Sequence, residues 1–163
     1  MLSSNPNAIN IIKNNLDDVC WYGISVNPNA IDIIEQNLDN INWNLVSSNP
    51  NAIDLIMKYP KKVEWSGLSS NPHPYAFEML MANKKKIRWS AFSMNSNSQA
   101  VEYILAHRDK IAWKFFSRNT NPIAVEFLKQ NPKKFIGGIF QKMKLLLTIF
   151  SNIEIKFIGL IFH

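Results

Sequence analysis

The sequence is poor in the residues that several common fold classes need. It contains 5 glycines and one cysteine, Cys20, among 163 residues. So few glycines disfavour a β-sandwich built on tight turns, and a lone cysteine cannot form an internal disulfide. No stretch reaches the roughly 18 uninterrupted apolar residues of a membrane span. The opening segment, MLSSNPNAIN, lacks the charged and apolar regions of a signal peptide, so we expect a protein that is not secreted.

The usual motifs of catalysis and of cofactor binding are also missing. The sequence has no Ser-His-Asp arrangement, no glycine-rich phosphate loop and no His/Cys cluster with metal-ligand spacing. Its three histidines, His73, His107 and His163, lie far apart along the chain. We therefore expect a protein that is not an enzyme, with no cofactor, no metal and no catalytic residue.

What the sequence does contain is an internal repeat. Tryptophan recurs at intervals of 22 residues and later of 24, and an alanine stands 13 residues before each tryptophan. Such periods are typical of stacked repeat proteins. The tryptophans are Trp21, Trp43, Trp65, Trp89 and Trp113, and the alanines are Ala8, Ala30, Ala52, Ala76, Ala100 and Ala124.

Each alanine follows a signal for the start of a helix. Asparagine is a strong N-cap, and proline is favoured at the first helical position because its missing N–H would be unpaired there anyway. Apolar residues one, three and four positions after the alanine then form one helical face, so we predict a helix of about ten residues. The start signals are Asn5-Pro6, Asn27-Pro28, Asn49-Pro50, His73-Pro74, Asn97-Ser98 and Asn121-Pro122.

A second, shorter element surrounds each tryptophan. An apolar residue three positions after the tryptophan gives a helical spacing, and the element is short enough to be either α or 3₁₀. A serine four positions after each tryptophan is expected to close the element with a local bond to the backbone. We interpret the tryptophans as core between repeats rather than as a base-stacking platform, because they share their face with other apolar residues.

These elements predict an all-α fold, a right-handed-type α-solenoid of about six 22–24-residue helix–turn–short-helix repeats. The repeat domain is assigned to residues 1–140 and a C-terminal tail to 141–163. Three interpretations of the tail stay open: a cap on the last repeat, an amphipathic membrane-surface or partner-binding segment, or a frameshifted remnant of further repeats. Because no polar cap precedes the first repeat, end-to-end association of copies is a further expectation.

The string LSSNPNAI, followed by a helix and a Val/Ile-x-Trp step, resembles the Asn-Pro repeat proteins of giant DNA viruses of the Mimivirus type. The resemblance covers roughly residues 2–136. The 24-residue version is also similar to leucine-rich repeat variants, which alternate α and 3₁₀ helices. Both resemblances imply a solenoid with an interaction role and no catalytic residues. The viral one implies a location in the cytoplasm of an infected cell or in the virion.

Charge is distributed unevenly along the chain. The net charge is +6, yet residues 1–48 hold one base and five acids while the remainder holds 17 bases and 7 acids. The turn before each tryptophan changes from acidic in the first two repeats to mostly basic later, and equivalent positions of stacked repeats form a line. The predicted basic edge consists of Lys61, Lys62, Lys84, Lys85, Lys86, Arg88, Arg108, Lys110, Lys133 and Lys134.

Two functions fit this pattern. The first is a repeat scaffold that mediates protein–protein interaction, with a protein partner whose identity the sequence does not specify. The alternative is a nucleic-acid or anionic-surface binder that uses the basic edge, since backbone binding needs only lysine and arginine near phosphates. The first is favoured because the sequence shows no exposed aromatic residues between the bases of the edge.

Overall fold

A computed structural model describes residues 2–131, and this part of the chain consists of helices, turns and loops without a β-strand. The all-α prediction is confirmed. Six helices lie at or just after the repeated alanines and are called the alanine helices: α1 Ile9–Lys13, α3 Ile31–Gln36, α5 Ile53–Lys58, α7 Pro74–Ala82, α9 Ser98–Ala106 and α11 Pro122–Gln130. Five start at the repeated tryptophans and are called the tryptophan helices: α2 Trp21–Val26, α4 Trp43–Ser48, α6 Trp65–Ser70, α8 Trp89–Phe92 and α10 Trp113–Phe116.

The short second element is therefore α-helical in every described repeat that contains it. The 3₁₀ helices occur elsewhere, at the start of repeats and in the turns that join an alanine helix to a tryptophan helix. They are Leu2–Ser4, Pro6–Ala8, Leu16–Asp18, Pro50–Ala52, Pro60–Lys62, Lys84–Lys86 and Arg108–Lys110.

The predicted ten-residue helix is correct only for the later repeats. Helices α7, α9 and α11 each span nine residues and start directly after His73, Asn97 and Asn121, whose side chains accept hydrogen bonds from the first turn. In the first three repeats the α-helix starts only after the alanine and has five or six residues. The prediction was too long there.

The caps of the first three repeats follow the prediction only in part. Asn5 and Asn49 cap short 3₁₀ helices with proline at the first position, as predicted, whereas Asn27-Pro28 opens a turn and not a helix. In the second and third repeats one asparagine, Asn27 or Asn49, both turns the chain and bonds to the preceding repeat. The later repeats contain two extra residues between the row asparagine and the alanine helix. The residue two positions after the row asparagine, His73, Asn97 or Asn121, therefore caps a longer helix.

A row of buried asparagines joins each repeat to the one before it. Each lies six residues after a tryptophan; its Oδ1 accepts an N–H two residues on, and its Nδ2 donates to carbonyls of the preceding repeat. Asn71 Nδ2 donates to Ser47 O at 2.9 Å and to Asn49 O at 3.1 Å, while its Oδ1 accepts from the His73 N–H at 2.9 Å. The row comprises Asn27, Asn49, Asn71, Asn95 and Asn119.

A row of buried serines runs alongside the asparagines. The expected local bond is present at Ser25, Ser69 and Ser93; Ser69 Oγ, for example, donates to the Trp65 carbonyl at 2.6 Å, whereas Ser117 Oγ donates to the Lys114 carbonyl. The same oxygen also accepts the Arg88 N–H of the next repeat at 3.0 Å, which the sequence did not reveal. Bonds of this second kind hold neighbouring repeats in register. They are made by Ser3, Ser25, Ser47, Ser69 and Ser93.

The apolar core follows the repeat. All six repeated alanines are buried, which lets backbones approach closely, and Phe92 and Phe116 are fully buried in the later repeats. The five tryptophans are partly buried and pack against this core, so they belong to it while part of each side chain stays exposed. Each tryptophan helix packs against the next along the chain, α2 on α4, α4 on α6, α6 on α8 and α8 on α10.

Two predictions about the ends of the domain fall outside this description. The boundary at residue 140 and the three interpretations of the tail concern residues beyond 131. Within residues 2–131, none of the helices has the length and apolar character needed to cross a membrane.

Candidate functional site

The candidate site is the edge formed by five turns that each join an alanine helix to a tryptophan helix. We call this set the charged edge. Because the asparagine and serine rows join successive repeats at equivalent positions, the turns form a series with one member in each repeat. The turns are turn 1 at Leu16–Asp18, turn 2 at 38–40, turn 3 at Pro60–Lys62, turn 4 at Lys84–Lys86 and turn 5 at Arg108–Lys110.

The sign of the charge changes along this edge. Turn 1 carries two aspartates and turn 2 carries one, whereas turn 3 carries two lysines and turn 4 carries three. Turn 5 is mixed, with Asp109 3.4 Å from the Lys110 Nζ. Within residues 2–131, no carboxylate lies within 4.0 Å of a turn 3 or turn 4 lysine, and all five lysines are exposed. Their charge is therefore available to a partner.

Two ion pairs beside the edge join neighbouring repeats. Lys13 Nζ lies 3.6 Å from Asp32 Oδ2, and Lys58 Nζ donates a hydrogen bond to Glu35 Oε1. This hydrogen bond and the carboxylate charge of Glu35 raise the pKa of Lys58 above its usual value, so the amine stays protonated. Exposed pairs of this kind contribute little to stability, but they neutralise bases of the first three repeats.

Partly buried aromatic rings lie beneath several bases of the charged edge, an arrangement that the sequence did not predict. Lys86 Nζ is 4.4 Å from the centre of the Trp65 ring, and Lys84 Nζ is 6.0 Å from that of Tyr103. The Arg108 guanidinium lies 5.1 Å from the centre of the Phe127 ring. At exposed sites such contacts are each worth about 0.5–1 kcal/mol. They orient the bases.

These contacts repeat from one unit to the next. Lys84 and Arg108 occupy equivalent positions, five residues before a tryptophan, and each reaches the ring three residues after the next alanine. Beside turn 5, His107 stacks on Tyr103 with ring centres 4.2 Å apart. A comparison of equivalent positions could have revealed that each base is paired with a ring of the next repeat. By their spacing alone, these rings belong to the apolar helical face.

The remaining predicted edge residues are placed less centrally. Arg88 is exposed at the N-terminal boundary of α8, outside turn 4, whereas Arg108 lies in turn 5 and its Nε donates to the Leu105 carbonyl at 3.2 Å. Lys133 and Lys134 lie outside the described residues. The other described residues of the predicted edge lie in turns 3, 4 and 5 of three successive repeats.

In the described part of the chain, no group of three or more His, Cys, Asp or Glu residues is arranged to hold a metal ion. The buried polar side chains of this region have hydrogen-bond partners. No protein family, curated protein or solved structure with which the chain was compared matches it.

Proposed function

We propose that this protein is a non-enzymatic α-solenoid scaffold that mediates protein–protein interaction through its charged edge. The observation that carries the proposal is the row of exposed lysines in turns 3 and 4, which no carboxylate neutralises within residues 2–131. The buried asparagine and serine rows support a solenoid, because each repeat completes its hydrogen bonds only on its neighbour. A partner that fits this edge is a protein segment rich in carboxylates.

The resemblance to the Asn-Pro repeat proteins of giant viruses belongs to the same proposal. The asparagine before the proline of this motif belongs to the buried row in the second and third repeats, as Asn27 and Asn49, so the motif is tied to repeat stacking. On this proposal the scaffold acts in the cytoplasm of an infected cell or in the virion.

A second candidate function is binding of nucleic acid or another anionic surface at the same edge. The specific observation in its favour is that the basic side chains of Lys84, Lys86 and Arg108 lie over aromatic rings. Basic side chains beside partly exposed rings are the combination found where single strands bind. The three rings are partly buried rather than exposed, so a protein partner stays the favoured one.

A titration with defined probes tests both functions. We expect an oligoglutamate peptide to bind at an ionic strength of about 20 mM and to be weakened at about 150 mM. If duplex DNA binds instead, contacts from the five lysines of turns 3 and 4 predict a slope of about −4.5 in log K against log salt. The double change Lys85→Glu with Lys86→Glu should then reduce the steepness of that slope by about 1.8 or more. Fluorescence anisotropy measures both.

The matched control is Lys114→Glu with Arg118→Glu, which changes the net charge equally at exposed positions outside the turns. It should leave binding within about twofold of the original, because surface charges beyond a Debye length are screened. Preference for the peptide supports the protein scaffold, and preference for DNA supports the second function. No binding of any probe at low salt would contradict both.

A further inference from the structure

The charged edge is complementary to itself when it is read in opposite directions. From turn 1 to turn 4 the formal charges of the turns are −2, −1, +2 and +3, from Asp17 and Asp18, Asp39, two lysines and three lysines. All of these side chains are exposed, and within residues 2–131 none of the three aspartates is within 4.0 Å of a base. Both halves of the pattern are thus available to an external partner.

The turns are evenly spaced, which allows the charges of two copies to align. Packed helices lie about 8–10 Å apart, and the tryptophan helices pack in succession from α2 to α8. Successive turns are therefore separated by roughly the same step along the edge. A second copy rotated by 180° presents the same step, so four turns can meet four turns without a change of register.

We propose that two copies of this chain associate side by side in antiparallel orientation through turns 1 to 4. Turn 1 then faces turn 4 of the other copy, and turn 2 faces turn 3, so that every facing pair has opposite sign. A parallel arrangement places like charges opposite each other and is disfavoured. The contact is isologous, with the same patch on both copies, which closes the assembly at a dimer. Turn 5 lies beyond the overlap.

This inference goes beyond the proposed function and differs from end-to-end association of the repeats. The proposed contact lies on the side of the molecule that carries the charged turns, and it joins only two chains. Because exposed ion pairs are individually weak and screened by salt, the association should be strong only at low ionic strength. Complementary charge of this kind fixes orientation more than it supplies affinity.

Charge reversal on each half of the edge tests the dimer, with sedimentation velocity as the measurement. At about 20 mM ionic strength the unchanged chain should sediment as a dimer, and at about 500 mM as a monomer. Asp17→Lys with Asp18→Lys should weaken association at least tenfold, and so should Lys85→Glu with Lys86→Glu. The chain that combines all four changes should associate at least about threefold more strongly than either pair variant, yet more weakly than the unchanged chain. Opposite signs face each other once more, but turn 4 then carries only −1 because Lys84 is retained.

The controls separate this test from that of the proposed function. Glu78→Lys with Glu102→Lys reverses as much charge as the aspartate variant, at exposed positions on α7 and α9 outside the turns, and should leave the dimer intact. Asp17→Lys with Asp18→Lys leaves turns 3 and 4 unchanged, so it should lose the dimer yet still bind the anionic probes. A monomer at low salt, a dimer insensitive to salt, growth beyond two chains, or failure of the four-change variant to recover would overturn the inference.

Discussion

Replacing Asn71 with leucine is expected to lower the free energy of unfolding by about 3–5 kcal/mol, a large part of the stability of a domain of this size. Asn71 is fully buried, and leucine has the same number of side-chain heavy atoms with the same branching but no polar group. The change leaves the Ser47 and Asn49 carbonyls without the amide that donates to both, and the His73 N–H without its acceptor. Urea unfolding followed by tryptophan fluorescence measures the loss.

The matched control for this prediction is Asn51→Leu. Asn51 lies in the 3₁₀ helix Pro50–Ala52 and its Nδ2 also donates to a carbonyl of the preceding repeat, that of Pro28 at 3.1 Å, but its side chain is exposed. Water can replace that bond, so we expect a loss below about 1 kcal/mol. Similar losses at the two positions would show that burial of the asparagine row does not determine its contribution.

Replacing Gly67 with alanine is the second change with a large expected effect, a loss of about 3 kcal/mol or more. A Cβ atom at this position would lie 1.9 Å from the Asn44 carbonyl oxygen and 3.0 Å from the Ser47 Cβ. Because the obstacle is backbone, no side-chain rotation relieves it, and α4 and α6 must separate. Alanine would otherwise stabilise a helix by about 1 kcal/mol relative to glycine, so the sign of the effect is informative.

Ser66→Ala provides the comparison for Gly67. Ser66 is the preceding residue of α6 and is exposed, so alanine there changes helix propensity without a steric conflict. We expect a change within about 0.5 kcal/mol. If thermal unfolding shows Gly67→Ala to be as stable as the unchanged chain, the close approach of α4 and α6 is not a feature of the folded protein.

The helical character of the chain could be predicted from the sequence because it depends on local patterns. The spacing of Ile9, Ile12 and their equivalents defines a helical face whatever surrounds it. The lengths of the helices could not be predicted in the same way. Asn27 and Asn97 look alike as N-caps, yet one opens a turn and the other a nine-residue helix. The difference arises because Asn27 is itself a member of the buried row, whereas Asn97 lies two residues after the row member Asn95.

The candidate site was only partly predictable for a related reason. The lysines of turns 3 and 4 were identified because a repeat places equivalent residues in one line. The rings beneath them were not, since Trp65 and Tyr103 belong by spacing to the apolar face. A half-buried ring serves the core with one side and the edge with the other. Periodicity assigns a residue to a face and does not give the exposed fraction of its ring.

The sequence by itself determined that this protein is built from repeated helices, where each repeat begins, and how charge changes sign along its turns. These properties follow from residue type and spacing, which act within one repeat. Only the tertiary structure decided that Asn71 and Ser69 bond across repeats and that lysines rest on rings of neighbouring units. Such contacts join residues about one repeat apart, and a side chain with several possible partners acquires its role only when the next repeat is in place.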